Sequence, residues 1–518
     1  MQKSLKPLRT VSALVSIVAL TLVFVDITGT SAAHLGWLAH WQLIPALLAV
    51  NVVVLVVLAV ATLLFGRLYC SVICPLGIFQ DVVSWLRRRT APRRRRAAGL
   101  FRYRKAATGL RYSLLALMTV LLAAGLSGLI ATSFAGLLDP YSAYGRIAGQ
   151  LMVPAWRPAF DAAAALAAEN GTFITSGIAP AAAFSWPVAA VAGASLLVVV
   201  VMAWMWGRRY CTDICPVGTL LGVLSRWSLF RPVIDTDRCN GCGRCGRTCK
   251  AQCIDTRHHE IDMSRCVVCM DCIGNCTQNA ITYRLRKKSK VPKEPENHKD
   301  HKTPTTPSDP GRRSFLVGTA IAGAALAVSA ADKTTDGGLS PLLAKQPRRG
   351  LRRPVPPGAP SLAWLTARCT ACQLCVSACP QGIIKPDTSA ASFMQPRLIF
   401  TGGYCLPGCT RCSEVCPTGA LKPLTADVKA MTSIGTAIVD ADACLMAQGV
   451  DCGNCARRCP AGAITIITGP DGRRRPVVDE SRCIGCGSCE YHCPVGLNTG
   501  GPSAAICVQG RLTAVSPL

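Results

Sequence analysis

Three kinds of redox or nucleotide signature are absent from this sequence of 518 residues. It contains no Cys-x2-Cys-His segment, so it attaches no c-type haem covalently. None of its seven histidines lies within a long apolar run, which argues against a membrane-bound b-type haem. It has no phosphate-binding loop, because Gly241, Gly243 and Gly246 are interleaved with cysteines and follow no strand-to-helix pattern. These absences argue against haem and nucleotide chemistry.

Acidic residues are also scarce: 28 Asp and Glu stand against 56 Lys and Arg, for a net charge of +28. In a soluble protein this imbalance would suggest a nucleic-acid partner. Here most of the positive charge flanks apolar runs, above all in the arginine-rich segment 87–105. We therefore interpret it as a membrane-topology signal and expect no nucleic-acid partner.

Long apolar runs in the first 206 residues predict four membrane spans, at about Val11–Thr28, Leu43–Phe65, Leu114–Leu138 and Val188–Trp206. The first is expected to stay in the protein, because the second follows too closely for a cleaved signal peptide. By the positive-inside rule the amino terminus, the arginine-rich loop and the chain after Trp206 are cytoplasmic. Residues 1–230 are thus expected to form an α-helical membrane bundle.

A Tyr-Cys-x3-Cys-Pro motif follows the second span and again the fourth, at 69–75 and 210–216. Cysteines four residues apart share one face of a helix. A two-fold internal repeat would bring all four together beneath the bilayer, where they could hold a further metal centre. Redox-active thiol pairs and purely structural cysteines remain alternatives. The residues are Cys70, Cys74, Cys211 and Cys215.

Two tandem Cys-x2-Cys-x2-Cys-x3-Cys segments follow, within a predicted cytoplasmic ferredoxin domain at 231–284. In this spacing three thiolates hold one 4Fe-4S cluster and the fourth crosses to the neighbouring cluster. Zinc is an alternative for isolated Cys-x2-Cys pairs, but two tandem groups of four favour clusters. The usual proline after the fourth cysteine is replaced by Lys250 and Thr277. The predicted ligand sets are Cys239, Cys242, Cys245 and Cys276 for one cluster, and Cys266, Cys269, Cys272 and Cys249 for the other.

Four further cysteine groups lie in a predicted domain at 363–518, bringing the expected total to six 4Fe-4S clusters. The first and last groups have the full ferredoxin spacing, and the inner two are looser. The groups are Cys369, Cys372, Cys375 and Cys379; Cys405, Cys409, Cys412 and Cys416; Cys444, Cys452, Cys455 and Cys459; and Cys483, Cys486, Cys489 and Cys493. Cys253 and Cys507 fit no group and are expected to be buried apolar residues.

The segment between the two cysteine-rich domains predicts export of the second one. Residues 285–311 have too few apolar residues to build a core and are expected to be a disordered linker. Arg312 and Arg313, followed by a weakly apolar run to 332, are typical of a twin-arginine translocation signal; a fifth span is the alternative. A Pro- and Arg-rich linker then covers 333–362. A domain that acquires its clusters in the cytoplasm must leave as a folded protein, which the twin-arginine translocase permits.

The first 284 residues resemble the membrane quinol-dehydrogenase subunit of periplasmic nitrate reductase systems, through the two Cys-x3-Cys-Pro motifs, the segment LLDPYSAYGR at 137–146 and the ferredoxin pair. The remainder resembles the exported ferredoxin subunit of those systems, through RPVPPGAP at 353–360 and the third cysteine group. The resemblance implies a fusion of the two, with bacterial ferredoxin-like α+β domains after the membrane bundle. It departs in the second group, where two residues rather than three are expected between the first cysteines. By resemblance to four-cluster subunits, the first group is expected to share clusters with the fourth and the second with the third.

Polar residues after the third span are candidates for a quinol site. Asp139, Tyr141 and Arg146 follow it, and an acid beside an arginine could accept the protons released by quinol. A helix-capping turn is the alternative for this segment. His34 and His40 are weaker candidates in the other outer loop.

These features predict a bacterial inner-membrane protein that oxidises menaquinol or ubiquinol and relays electrons to a periplasmic reductase or cytochrome. Its amino terminus and first ferredoxin domain are expected in the cytoplasm and its carboxy-terminal domain in the periplasm. Two alternatives stay open, an accessory role in maturing a periplasmic metalloenzyme and reverse flow from ferredoxin to quinone, because cluster potentials vary widely with environment.

Overall fold

The computed structural model describes residues 5–25, 30–92, 101–156, 158–159, 162, 185–285, 350–470, 472–495 and 503–515. The predicted twin-arginine segment at 312–332, and nearly all of the predicted linker before it, lie outside the described residues.

The described residues before 230 are mainly helical. Its helices are α1 Leu5–Val25, α2 Thr30–Leu35, α3 Trp37–His40, α4 Leu43–Leu48, α5 Val52–Phe65, α6 Tyr69–Val72, α7 Pro75–Thr90, α8 Thr108–Leu126, α9 Ser133–Gly136, α10 Pro140–Ile147, α11 Trp186–Trp206 and α12 Pro216–Ser225, with π-helical turns at Ala148–Met152 and Tyr210–Ile214.

Three of these helices, α1, α8 and α11, are long and apolar enough to cross a membrane. The predicted second span is instead divided into α4 and α5. Val50 adopts a positive φ of 55°, and the Asn51 side chain caps α5 by accepting the Val54 N–H at 3.2 Å. The predicted third span ends at Leu126 rather than Leu138. The described residues thus contain three candidate spans and two shorter apolar helices, α5 and α12.

The first cysteine-rich unit follows the helices and is built from short elements. Its elements are β1 Phe230–Ile234, α13 Arg244–Thr248, β2 Ile254–Asp255, β3 Glu260–Ile261, α14 Asp271–Asn275 and β4 Ile281–Leu285. Strand β1 pairs antiparallel with β4, and β2 with β3. This is an α+β arrangement, as predicted.

This unit packs at the end of the helices where α1 begins and α5 ends, which we name the proximal end. Lys6 forms an ion pair with Asp271 at 3.0 Å. The Tyr283 hydroxyl donates to the Phe65 carbonyl at 2.9 Å, and Arg111 donates to Ser264 at 3.0 Å. One apolar core is continuous between the helices and this unit.

The second cysteine-rich unit has its own core and is again α+β. Its elements are α15 Leu362–Arg368, α16 Leu374–Ala378, β5 Ile384–Pro386, a 3-10 turn at Ala390–Ser392, β6 Pro396–Leu398, α17 Arg411–Glu414, α18 Ala426–Met431, β7 Ser433–Val439, α19 Asn454–Arg457, β8 Ile464–Thr468, β9 Arg474–Val478, α20 Ser488–Tyr491 and β10 Ile506–Val515. The antiparallel pairs are β5 with β6, β7 with β10, and β8 with β9.

The second unit packs at the opposite end of the helices, which we name the distal end. The Thr132 N–H donates to the Thr366 carbonyl at 3.1 Å. Phe134 stacks on Phe393 with ring centroids 5.5 Å apart. Leu374 of this unit is completely buried in the core of the helical part. The two cysteine-rich units therefore lie at opposite ends of one helical body.

Glycines permit the close approach at the distal end. A Cβ at Gly136 would overlap the Thr370 carbonyl, and one at Gly145 would overlap the Cys372 carbonyl. The backbone of the first cysteine group thus rests directly on helices α9 and α10, where larger residues would hold it away.

This docking predicts an engineered disulfide. A Cβ built at Gly149 would lie 3.7 Å from the Cβ of Gln373, within the range of about 3.5–4.5 Å found in disulfides. We expect a Gly149→Cys, Gln373→Cys variant to cross-link under mild oxidation. Cleavage at a protease site inserted within 286–349 should then leave both fragments in one band on a non-reducing gel.

The matched control is Gly109→Cys with Gln373→Cys, because nothing lies within 4 Å of a Cβ at Gly109. Its fragments should separate. Separation of the test variant as well would contradict the distal docking.

Candidate functional site

The four cysteines of the two Cys-x3-Cys-Pro motifs come together inside the helical part. Each is 3 to 4% exposed, and they interact electrostatically with one another. Pro75 and Pro216 begin α7 and α12, the position where proline costs no hydrogen bond, so each second cysteine precedes a helix. We name Cys70, Cys74, Cys211 and Cys215 the four-cysteine centre.

Two arginines hold the motifs together by reciprocal hydrogen bonds. Arg67, before the first motif, donates to the Cys211 carbonyl at 2.9 Å, and Arg208, before the second, donates to the Cys70 carbonyl at 2.5 Å. Both are completely buried. The repeated Gly-Arg before each motif is the sequence signal for this role, which the motif analysis missed.

Hydrogen-bond donors also point at the sulfur atoms. Gln80 Nε2 lies 3.1 Å from Cys211 Sγ, the Gly218 N–H lies 3.4 Å from Cys215 Sγ, and Arg67 Nη2 lies 3.8 Å from Cys70 Sγ. Among the described residues Arg67 has no carboxylate within ion-pair distance. Donors and a buried cation favour negatively charged sulfur.

A buried ion-pair network links this centre to the first cysteine-rich unit. Asp81 of α7 contacts Arg9 at 3.0 Å, Arg208 at 2.6 Å and Lys250 at 2.8 Å. Lys250 also contacts Asp271 at 3.3 Å. Burial alone would lower the pKa of Lys250, but the neighbouring carboxylates raise it, so the ammonium stays charged. Burial would raise the pKa of Asp271, but its cations lower it to about 2.

Lys250 thus occupies the position of the missing ferredoxin proline and joins two carboxylates across the proximal interface. Its carbonyl also accepts the Arg208 N–H at 2.8 Å. The departure from the ferredoxin pattern was visible in the sequence, but its partner Asp81 is remote along the chain.

The first unit brings Cys249 into one cavity with Cys266, Cys269 and Cys272, the set that the spacing predicts. Cys239, Cys242 and Cys245 interact electrostatically with one another. Cys276 follows α14, and its Sγ accepts the Ala280 N–H at 3.3 Å.

Cys253 is buried, as predicted, but it also touches this cysteine set. Its Sγ lies 3.6 Å from Cys249 Sγ, and it hydrogen-bonds Cys266. The bond from Cys253 lowers the pKa of Cys249 to about 6. Cys253 lies four residues after Cys249. The residue four positions after Cys276 is Ala280, and the residue four positions after Cys459 is Ala463, so a cysteine at this position is unusual in this chain. Cys507 is buried in the core of the second unit.

The second unit combines neighbouring groups, and the pairing expected from the resemblance is wrong about which groups lie together. Three cavities each combine cysteines from two adjacent groups, and Cys459 interacts with the remaining set. Three sets line cavities: Cys369, Cys372, Cys375 and Cys416; Cys405, Cys409, Cys412 and Cys379; and Cys444, Cys452, Cys455 and Cys493. In the fourth set, Cys486 interacts electrostatically with Cys459 and Cys483, and Cys489 interacts with Cys483 and Cys486. The fourth cysteine of each group therefore crosses only to its sequence neighbour.

Asp139 caps helix α10. Its carboxylate accepts the Ser142 N–H at 2.9 Å and the Ser142 hydroxyl at 2.6 Å. The structure therefore shows the helix-capping turn that the sequence analysis gave as the alternative for this segment. Burial raises the pKa of Asp139, although its hydrogen bonds act in the opposite direction.

Tyr141 and Arg146 present unused donors next to this cap. Arg146 is completely buried and donates through Nη2 to the Gly136 carbonyl at 2.9 Å. Its Nε and Nη1, and the Tyr141 hydroxyl, have no hydrogen-bond partner among the described residues. Such buried, unsatisfied donors are costly unless a ligand completes them.

These donors lie between the four-cysteine centre and the second unit. Tyr210 interacts electrostatically with Cys211 and Cys215 and also with Asp139 and Arg146. Arg146 and Tyr141 in turn interact with Cys372. His34 and His40, the weaker candidates, lie in the short helices α2 and α3.

Two protein-family models match the chain, one in the helical part and one in the second cysteine-rich unit. A 4Fe-4S binding domain model matches residues 47–94 and 188–234, each containing one Cys-x3-Cys-Pro motif. A 4Fe-4S dicluster domain model matches 368–447 and 448–497 in the second unit.

Three relatives show what the chain is similar to. It is 30% identical over 185 residues to the methylamine utilization ferredoxin-type protein MauN of Paracoccus denitrificans, covering 36% of this chain and 48% of MauN. It is 28% identical over 254 residues to the ferredoxin-type protein NapH of Escherichia coli, covering 48% and 71%. It is 35% identical over 72 residues to the pyruvate synthase subunit PorD of Methanothermobacter marburgensis, covering 14% and 88%.

The chain spans about half the length of MauN, and its match to NapH covers about half of the chain itself. No solved structure matches it. The matched domain models are 4Fe-4S domains, MauN and NapH are named ferredoxin-type proteins, and three helices of the chain are long and apolar enough to cross a membrane. The chain belongs to the ferredoxin-type 4Fe-4S proteins and acts in iron–sulfur electron transfer.

Proposed function

We propose that this protein oxidises quinol within the membrane and passes the electrons through 4Fe-4S clusters to a redox partner on the far side. The six cysteine sets of the two ferredoxin units would hold six 4Fe-4S clusters. When bound, these clusters would pass electrons one at a time. The partner is a periplasmic reductase or cytochrome, and the donor is the menaquinol or ubiquinol of the inner membrane.

The observation that carries this proposal is the group of unused donors beside Asp139. Arg146 Nε and Nη1 and the Tyr141 hydroxyl are buried without partners, next to the distal docking surface. A quinone head group offers two oxygens that such donors can bind. Asp139, whose pKa is raised by burial, is placed to accept a proton as quinol is oxidised.

The placement of the two units at opposite ends supports export of the second one. With the basic loop and the first unit cytoplasmic, the distal end faces the periplasm. Four crossings, with α4 and α5 sharing one, return the chain to the cytoplasm, where the first unit lies. The twin-arginine segment then delivers the folded second unit to the periplasm.

Quinol reduction of the clusters is the first test. In anaerobically purified protein in lipid, a soluble menaquinol analogue should produce reduced 4Fe-4S signals in low-temperature electron paramagnetic resonance. Arg146→Met should slow their appearance by about tenfold or more, because a hydrogen bond from a charged group is worth about 1.5–3 kcal/mol. Asp139→Asn should also slow it, since asparagine keeps the cap but accepts no proton.

Arg226→Met is the control, because Arg226 is exposed and its guanidinium donates to the Tyr112 hydroxyl at 3.1 Å, away from Asp139. Dithionite should reduce all variants equally if the clusters are intact. Signals that appear with dithionite but never with quinol would sink the quinol proposal and favour reverse flow or an accessory role.

The topology has a direct readout. A tag after Leu518 should be cut by protease added to spheroplasts, and a tag before the first residue should be protected. Replacing Arg312 and Arg313 with lysine should leave the carboxy-terminal tag protected as well. Protection of that tag in the unaltered chain would refute export.

Lys250 is expected to raise the potential of the cluster that Cys249 joins. Lys250→Met removes a buried positive charge beside that cluster, so its midpoint potential should fall by on the order of tens of millivolts. Redox titration followed by electron paramagnetic resonance measures this. Lys6→Met is the matched control, because Lys6 also pairs with Asp271 but is 39% exposed. Equal shifts in both variants would contradict a local effect of Lys250.

A further inference from the structure

We infer that Cys253 is a reserve ligand for the cluster that Cys249 joins in the first unit, and that its sulfur can replace the Cys249 sulfur on that cluster. The four predicted ligands line one cavity, as thiolates around one 4Fe-4S cluster must, and Cys253 lines the same cavity as a fifth cysteine. The inference rests on a cluster in the first unit and not on quinol as its electron donor, so the two proposals can fail separately.

Cys253 lies in direct contact with two of these ligands. Its Sγ is 3.6 Å from the Cys249 Sγ, and it forms a hydrogen bond with Cys266. The residue is 1% exposed, so water does not compete for its thiol. Because Cys249 and Cys266 belong to different cysteine groups, the Cys253 thiol stands where the two groups meet around the cavity.

The turn after Cys249 places the Cys253 side chain beside the ligand sulfur. Gln252 adopts a positive φ of 53°, and its N–H donates to the Cys249 carbonyl at 3.1 Å. The Cys253 N–H also hydrogen-bonds the Cys249 thiol. The Cys253 carbonyl accepts the Asp262 N–H at 2.9 Å. These bonds hold the fifth sulfur next to the ligand that it would replace.

The same turn follows Cys276, the last cysteine of the other group in this unit, but there it carries no sulfur. Asn279 has a positive φ of 49°, and the Ala280 N–H donates to the Cys276 Sγ at 3.3 Å. Alanine therefore completes this turn and brings residue 280 just as close to its ligand. The turn itself does not require a cysteine at position 253, which leaves the sulfur to be explained by its contact with the ligands.

The exchange needs no oxidant or reductant. The Cys253 thiol gives its proton to the Cys249 sulfur as the bond between Cys249 and one iron breaks, and the Cys253 sulfur bonds the same iron. One iron–sulfur bond breaks and one forms, and the proton passes between two sulfurs that are already in contact. The charge of the site is unchanged.

A reserve ligand is useful here because Cys249 is tied to the helical part of the protein. Its neighbour Lys250 forms an ion pair with Asp81 of α7 at 2.8 Å. Cys253 is instead held by its own unit, through the Asp262 N–H. A movement of the first unit on the helices that drew Cys249 away would leave the cluster bound through Cys253.

The test is the iron and acid-labile sulfide content of the full chain, purified anaerobically. We expect Cys249→Ala to keep the iron and sulfide of the unaltered chain, because Cys253 takes over, and Cys253→Ala to keep them as well. Replacing both cysteines should remove about one to four iron atoms per chain. Iron loss from Cys249→Ala as large as from the double variant would overturn the inference, and so would full retention of iron by the double variant.

Cys276→Ala is the matched control, because Ala280 offers no sulfur at the equivalent position. It should lose iron, and one reduced-cluster signal should disappear from the electron paramagnetic resonance spectrum after dithionite. Adding Ala280→Cys should restore both, and this comparison holds even if Cys249→Ala does not fold. Equal iron in Cys276→Ala with and without Ala280→Cys would overturn the inference. None of these measurements uses quinol, so their outcome is distinct from that of the proposed function.

Discussion

The architecture depends on two buried arginines that exchange hydrogen bonds across the repeated motif. Arg67 and Arg208 each donate to the backbone of the opposite cysteine turn, and each also reaches a loop of the first ferredoxin unit. Each hydrogen bond that a buried guanidinium makes restricts the positions of the groups around it. One pair of side chains thereby fixes both motifs relative to each other and relative to the proximal clusters.

A second constraint acts at the distal end, where close backbone packing, and not an ion pair, holds the second unit against the helices. Gly136 and Gly145 let the carbonyls of Thr370 and Cys372 rest on the helices, and no side chain separates them. The first cysteine group of the second unit is therefore the one nearest the helical part. Electron transfer weakens steeply with distance, so in the proposed function this group is the one through which electrons enter the second unit.

The sequence predicted which cysteines of the first unit lie together, because cysteine spacing is a local property. The set joining Cys249 with Cys266, Cys269 and Cys272 assembles as the tandem spacing indicates. The expected pairing of first with fourth and second with third groups in the second unit was wrong, since it came from resemblance and not from the chain itself. The break after Leu48 was also missed, because apolar composition cannot reveal that Val50 takes a positive φ and Asn51 starts a new helix. Long-range partners were beyond a single sequence: nothing near Lys250 points to Asp81.

Lys250 shows how one departure from a motif can serve two purposes. A proline at this position would rigidify the turn after Cys249 but could not reach Asp81 or Asp271. The lysine does reach them, so it anchors the ferredoxin unit to α7 and at the same time places a cation beside a cluster. Its carbonyl remains free to accept the Arg208 N–H. Docking and cluster electrostatics are thus coupled through one residue, and a change in the docking of the first unit must also change the potential of the cluster nearest the four-cysteine centre.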